Sequence, residues 1–132
     1  MLQYQLYIRT TFNTFTKLEG TQKIRTIIFY KEYFSEFFVK QRQKVKDKIV
    51  WTFDLVERIE KVPETYLKHI EGTDKLFEIR VQNGSDIFRI FCFFDEGSLV
   101  VIANGFQKKT QKTPKNEIEK ALKIKIEYYE NK

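Results

Sequence analysis

Three strand-like segments joined by tight turns occupy the second half of the chain and constrain its fold most. Leu76–Gln82 alternates between two faces, and Ile87–Phe94 and Leu99–Phe106 are predicted as the next two strands. Both residues of Asn83-Gly84 tolerate positive φ, which predicts a tight turn, and Asp95-Glu96-Gly97 predicts the next one. Because turns this short join neighbouring strands, we predict an antiparallel meander.

The segment before the meander predicts one strand and then helix. Ile24–Tyr30 is rich in β-branched and aromatic residues, as strands are. Lys31 to about Lys61 has helical apolar spacing, with one break expected near Gln41–Gln43 and a stop at Pro63. Apart from the polar Glu60, the helical stripes consist of Phe34, Phe37, Phe38, Val45, Ile49, Phe53 and Val56.

A helix from Pro114 to about Tyr129 is predicted to close the chain. Thr113 is the expected N-cap and Pro114 the first helical residue. The expected buried face consists of Ile118, Ala121, Leu122 and Tyr129. The predicted order is β-α-α-β-β-β-α, an α+β domain in which two N-terminal helices and a C-terminal helix pack on a small sheet.

Composition indicates one basic domain in a chain of 132 residues. Hydrophobic residues make up 42% of the sequence, which is enough for a core and excludes disorder as the main state. The net charge of +6 suggests a polyanionic partner but leaves RNA, DNA and membrane headgroups open. One Cys and one His exclude a disulfide scaffold and a structural zinc site.

The first 22 residues differ from the rest because they carry few charges. We predict an N-terminal extension of unknown role at 1–22 and a domain at 23–132; an added strand, a leader and an over-extended start all fit the extension. The sequence contains no signal-peptide pattern and no apolar run long enough to span a membrane. We therefore expect a cytoplasmic protein that does not bind membranes.

A lysine-rich loop lies between the last strand and the last helix. Four lysines fall within eight positions without an acidic residue among them: Lys108, Lys109, Lys112 and Lys115. Strand ends and helix N-termini commonly hold anions through side-chain charge and free backbone N–H groups. The alternative is that the loop is simply solvated.

Two arginines in neighbouring strands form a second candidate site. Arg80 and Arg89 are predicted to project from one face of the sheet, where they would make a phosphate-sized cationic patch near the lysine-rich loop. The alternative is that each arginine pairs with an acid such as Glu78 or Asp86.

Other chemistry finds little support in the sequence. His69 lies before a turn and far in sequence from the cations, and Cys92 lies within a strand, so we interpret both as structural. No Gly-rich phosphate loop, Ser-His-Asp order or carboxylate pair with metal spacing occurs. Any catalysis therefore depends on Lys, Arg, Tyr or Thr, without a metal or cofactor.

The motifs that carry a family resemblance are Leu76–Val81, Phe88–Phe91, Gly105–Pro114 and Glu117-Ile118. Together they resemble the HigB-like, phage-derived subgroup of the RelE/ParE toxin superfamily, over about residues 23–130. The resemblance implies a RelE-like fold and a type II toxin that cleaves mRNA, usually in the ribosomal A site. It further implies metal-independent attack of the ribose 2′-OH on the adjacent phosphate, and neutralisation by a helix-turn-helix antitoxin.

The resemblance also implies roles for particular residues. Arg80 and Arg89 would clamp phosphate, while Lys108 or Lys109 would act as acid, base or electrostatic partner. The implied RNA contacts are Lys112, Lys115 and Phe106, and a core position is the alternative for Phe106. Glu78 stands where ribosome-dependent relatives often have lysine, and no tyrosine follows the basic loop. Two other readings stay open: a ParE-like inhibitor of DNA gyrase, and an inactive remnant that still binds antitoxin.

Overall fold

A five-stranded sheet and three helices make up the computed structural model, which describes residues 22–132. The predicted extension at 1–22 lies, apart from its last residue, outside the described residues. The strands are β1 (Thr26–Phe29), β2 (Leu67–His69), β3 (Phe77–Asn83), β4 (Asp86–Asp95) and β5 (Leu99–Lys108). The helices are α1 (Tyr33–Phe38), α2 (Gln43–Arg58) and α3 (Lys115–Glu130).

The sheet has the strand order β1-β5-β4-β3-β2. The predicted α+β class and the antiparallel meander of β3, β4 and β5 are confirmed. Two features were not predicted: the short strand β2, which pairs antiparallel with β3, and the parallel pairing of β1 with β5. The order is therefore β-α-α-β-β-β-β-α.

The turn between β3 and β4 differs in detail from the prediction. Asn83 is still paired with Asp86 in the ladder, so the two turn residues are Gly84 and Ser85. Of the Asn83-Gly84 pair, only Gly84 has positive φ, at 62°. Glycine at the first central position is what a type II′ hairpin turn requires, since this position needs positive φ. The hairpin was predicted correctly, but its turn is one residue further along.

The helical segment breaks between α1 and α2, as predicted, and α2 ends at Arg58 rather than near Lys61. The guanidinium of Arg25 lies at that end. Its Nη1 donates to the carbonyl oxygens of Val56 (2.9 Å) and Ile59 (2.7 Å), and its Nη2 donates to that of Glu60 (2.7 Å). Val56 lies in the last turn of α2, where carbonyls have no partner within the helix, and Ile59 and Glu60 follow the helix. Arg25 therefore satisfies one carbonyl at the helix end and holds the residues that follow it.

Two predictions for α3 are wrong. Its N-cap is Pro114, without a side-chain capping bond, so Thr113 is not the cap and Lys115 is the first helical residue. Tyr129 is 43% exposed, whereas Ile124 is buried beside Ala121. The helix turns this side toward β4 and β5, while the Tyr129 hydroxyl donates to the carbonyl of Phe94 at 3.1 Å.

The two faces of the sheet are covered by different helices. Phenylalanines of α1 and the apolar stripe of α2 pack with Ile79, Val81 and Ile90 on one face. On the other face, Ala121 and Ile124 of α3 pack on Phe91 and Phe106. None of the helices within residues 22–132 is long and apolar enough to cross a membrane.

Candidate functional site

Arg80 and Arg89 lie directly opposite each other in the β3–β4 ladder. Residues in direct register point to the same side of a sheet, so both side chains project from one face, as the sequence predicted. This is the face on which α3 covers Phe91, two residues along β4 from Arg89. The arginines lie further along it, toward the turn at Gly84.

A single carboxylate contacts both arginines. Glu78 Oε2 lies 2.8 Å from Nε of Arg89 and 3.2 Å from Nε of Arg80. These are ion-pair distances without the alignment of a hydrogen bond, since neither Nε has a hydrogen-bond partner. The alternative that each arginine pairs with an acid is therefore correct for Glu78. Asp86 instead pairs with Arg42 at 2.7 Å.

The two guanidiniums differ in their exposure to solvent. The Arg89 side chain is 8% exposed and that of Arg80 is 31% exposed. Each is also held by a backbone carbonyl: Arg89 Nη1 donates to Phe88 at 3.1 Å, and Arg80 Nη1 donates to Glu64 at 3.3 Å. Both arginines are therefore fixed in place, and Arg80 is the more accessible.

Lys108 joins this group from β5. It pairs with Ile87, and Arg89 pairs with Phe106, so Lys108 is the diagonal neighbour of Arg89 on the same face, with Cα atoms about 7–8 Å apart. Burial lowers the pKa of Lys108, and the charge of Arg89 lowers it further, against an opposing effect of Glu78. We call Glu78, Arg80, Arg89 and Lys108 the cationic cluster.

Burial also lowers the pKa of Arg89, while Glu78 opposes this and Arg80 reinforces it. An arginine stays protonated even so, because its ordinary pKa lies far above neutral pH. The cluster contains three cations and one carboxylate, so it keeps an excess of positive charge in a partly desolvated place. Such an arrangement attracts an anion with several oxygens, such as a phosphodiester.

The remaining lysines of the predicted site lie on the loop after β5 or at the start of α3. Lys109, Lys112 and Lys115 are all exposed. The loop is ordered in part by Thr110, whose hydroxyl donates to the carbonyl of Lys112 at 2.8 Å. Roles for these three residues stay predictions, since nothing beyond their exposure and charge distinguishes them.

Phe106 is 8% exposed and packs against Phe91, with 5.5 Å between ring centroids. Ala121 and Ile124 cover it from α3. This burial favours the core alternative for Phe106 over a base-stacking role.

His69 and Cys92 are placed as the structural interpretation expected. His69 is exposed at the end of β2, where Nε2 lies 3.3 Å from the carbonyl oxygen of Thr73. Cys92 is fully buried, and burial raises the pKa of its thiol, which keeps it protonated and unreactive. Within residues 22–132, no group of three His, Cys, Asp or Glu side chains is arranged to hold a metal ion.

Glu78 is a residue of the site that was not predicted as one, although the sequence contains a signal for it. Glu78 and Arg80 are two positions apart in a strand, so they share a face. The sequence does not show that Glu78 is buried or that its carboxylate contacts both guanidiniums.

A family comparison covers the region that contains the cationic cluster. Residues 36–125 match the family described as phage-derived protein Gp49-like (DUF891), which is more than half of the chain. A search of curated proteins finds no match. The chain therefore belongs to the phage-derived Gp49-like family, a HigB-like toxin family within the RelE/ParE superfamily.

Proposed function

We propose that this protein is the toxin of a type II toxin–antitoxin system and acts as a ribosome-dependent mRNA endonuclease. Family membership supports the toxin assignment. The observation that carries the nuclease assignment is the cationic cluster, in which the opposed Arg80 and Arg89 adjoin a lysine whose pKa is lowered. A helix-turn-helix antitoxin encoded beside the toxin would be its partner.

The proposed reaction needs charge stabilisation and proton transfer, which this cluster is suited to supply. The 2′-oxygen attacks the adjacent phosphorus, the bond from phosphorus to the 5′-oxygen breaks, and the products are a 2′,3′-cyclic phosphate and a 5′-OH. Arg89 and Arg80 stabilise the charge that develops on the phosphoryl oxygens. Lys108 in its neutral form accepts the 2′-OH proton, and a lowered pKa increases the fraction of that form at neutral pH. Lys109, the next residue, is the candidate donor to the 5′-oxygen.

Glu78 has a positioning role in this proposal. By contacting the Nε atoms, its carboxylate holds both guanidiniums side by side and reduces their mutual repulsion. The Nη2 atoms of the arginines then remain for a phosphate.

Induction of the protein without antitoxin tests the proposal. We expect growth arrest, together with codon-phased cuts in cellular mRNA mapped by primer extension. Arg80→Ala and Arg89→Ala should relieve the arrest; Arg80→Ala is the safer variant for folding because Arg80 is more exposed. Lys123→Ala, at an exposed position of α3, is the matched control and should remain toxic.

Three outcomes would contradict the nuclease. Arrest with intact mRNA and DNA damage indicates a gyrase inhibitor instead. Normal growth with folded, well-expressed protein indicates an inactive remnant. Unchanged mRNA cleavage in folded Arg80→Ala and Arg89→Ala proteins would separate the activity from the cationic cluster.

A further inference from the structure

A cleft of about 700 Å³ runs from the cationic cluster along the outer part of β3. β2 pairs only with Phe77–Ile79 of β3, and the next residues of β3, 80–82, border the cleft. Its lining includes Arg80 and Arg89 together with three residues outside the proposed catalytic set, Lys48, Tyr66 and Lys68. These come from α2, the α2–β2 connection and β2, none of which contributed to the predicted site.

The charge of the cleft favours a polyanion. Lys48 and Lys68 add two cations to the two arginines. The opposing carboxylates are those of Glu64 in the lining and of Glu78 between the arginines, so the cations remain in excess. Glu64 also turns its backbone carbonyl toward Arg80, whose Nη1 donates to it at 3.3 Å. A row of cations that continues from a phosphate-sized patch is the arrangement that follows a nucleic-acid backbone.

Tyr66 gives the cleft an aromatic surface beside the arginines. Its carbonyl oxygen accepts a hydrogen bond from the backbone N–H of Arg80 at 2.8 Å, which fixes its position relative to the cluster. Its half-buried ring contacts Trp51 edge-to-face, with 5.6 Å between centroids. Lys48 lies over the same tryptophan, with Nζ 4.7 Å from the ring centroid. The aromatic ring and the cation are thus held together on one wall.

Tyr66 and Arg89 line the same cleft, so one RNA strand can contact both. Arg89, Arg80 and Tyr66 lie on successive extended segments, which are spaced by about 4.8 Å, so the main chain of Tyr66 is roughly 10 Å from that of Arg89. Bases of single-stranded RNA stack on aromatic side chains, and the adjacent phosphates contact Lys or Arg.

We propose that this cleft binds the RNA nucleotide next to the scissile phosphate, with its base stacked on Tyr66 and its phosphates contacting Lys48 and Lys68. The inference rests on the proposed nuclease function. No tyrosine follows the basic loop, and Tyr66 is instead the aromatic residue on which a base would stack.

Two measurements test the cleft. The first is binding of a short 2′-O-methylated single-stranded RNA, which cannot be cut, followed by fluorescence anisotropy at several salt concentrations. The second is the rate of cleavage of ribosome-bound mRNA across a set of codons. We expect Tyr66→Ala to lower both by about 10-fold, the equivalent of about 1.4 kcal/mol, which lies within the range for base–aromatic stacking. Tyr66→Phe should retain both because it keeps the ring.

The lysines should show a different signature. Lys48→Gln and Lys68→Gln should each weaken RNA binding and reduce its salt dependence by about one phosphate contact. Lys123→Gln, on the exposed side of α3, is the control and should bind RNA as the wild type does. Thermal unfolding of every variant separates a loss of binding from a loss of fold.

The possible failures are distinguishable. If the wild type cleaves mRNA, and folded Tyr66→Ala and Lys48→Gln proteins equal it in both assays, the cleft does not bind RNA. The proposed nuclease function is unaffected by that result. Variants that keep RNA binding but lose capture by the antitoxin would make the cleft a protein-docking surface and overturn the inference. Wild-type protein that neither binds the RNA nor cleaves on ribosomes overturns the proposed nuclease as well as the cleft.

Discussion

Replacing Glu78 by Gln should destabilise the fold strongly, although the two side chains are almost the same size. The substitution removes the carboxylate from between Arg80 and Arg89 and leaves both guanidiniums in place. Arg89, with its side chain 8% exposed, would then be a buried cation facing a second cation. The predicted effect is electrostatic, because the packing around residue 78 hardly changes.

The magnitude follows from burial and distance. At 2.8 Å the attraction between Glu78 and Arg89 is about 6 kcal/mol for an effective dielectric constant of about 20. The measured cost of removing one partner from a buried pair is smaller, about 3–5 kcal/mol, because the structure and water relax around the remaining charge. Arg80 is 31% exposed and admits water, so we expect about 3 kcal/mol. This is a large part of the ~5–15 kcal/mol that stabilises a typical domain.

Urea unfolding followed by the fluorescence of Trp51, the single tryptophan, measures this loss. Asp86→Asn is the matched control, because it breaks an ion pair with Arg42 that has a similar distance, 2.7 Å, but side chains 41% and 61% exposed. Exposed pairs contribute about 0–1 kcal/mol, so this variant should unfold nearly as the wild type does.

A double variant, Glu78→Gln with Arg89→Gln, tests the electrostatic reasoning further. Once both buried charges are gone, the free energy of unfolding should fall by less than the sum of the two single losses. A Glu78→Gln variant that loses no more stability than Asp86→Asn, or two single losses that add without coupling, would show that Glu78 and Arg89 do not interact as a buried ion pair.

Two further predictions concern β5. Gly105→Ala should lower the free energy of unfolding by about 1–3 kcal/mol, because the added Cβ would lie 2.7 Å from the ring of Phe37. A second substitution in the same chain, Phe37→Leu, should recover part of this loss. An unchanged melting temperature for Gly105→Ala alone would show that the Phe37 ring moves aside at no cost. Lys108→Met should raise the melting temperature near neutral pH while abolishing cleavage, because burial and the charge of Arg89 lower the pKa of Lys108 and make its protonated form costly in the fold. The difference in stability between Lys108→Met and the wild type should shrink as the pH rises through the lowered pKa of Lys108, and it should disappear above the ordinary value of 10.5. A difference that does not change with pH would show that the pKa of Lys108 is not lowered by the fold.

The parts of the fold that were predictable depend on local patterns. The β3–β4 hairpin and the break before Gln43 follow from alternation, turn residues and helical spacing over a few positions. The three-residue strand β2 is too short for alternation to reveal, and the pairing of β1 with β5 joins segments about 70 residues apart. For α3, periodicity predicted a buried stripe, but packing on the sheet decided that Ile124 rather than Tyr129 belongs to it.

The same division applies to the site. Amino-acid order alone establishes the net positive charge, the lysine-rich loop and the shared face of Arg80 and Arg89, because the strand periodicity of two dictates which side chains point together. The packing of distant segments decided that one carboxylate lies between both guanidiniums and that α3 buries Phe106. It also decided that Tyr66 reaches the cleft beside them. Burial and contact between distant segments have no local signature, since they depend on which element covers which part of the sheet.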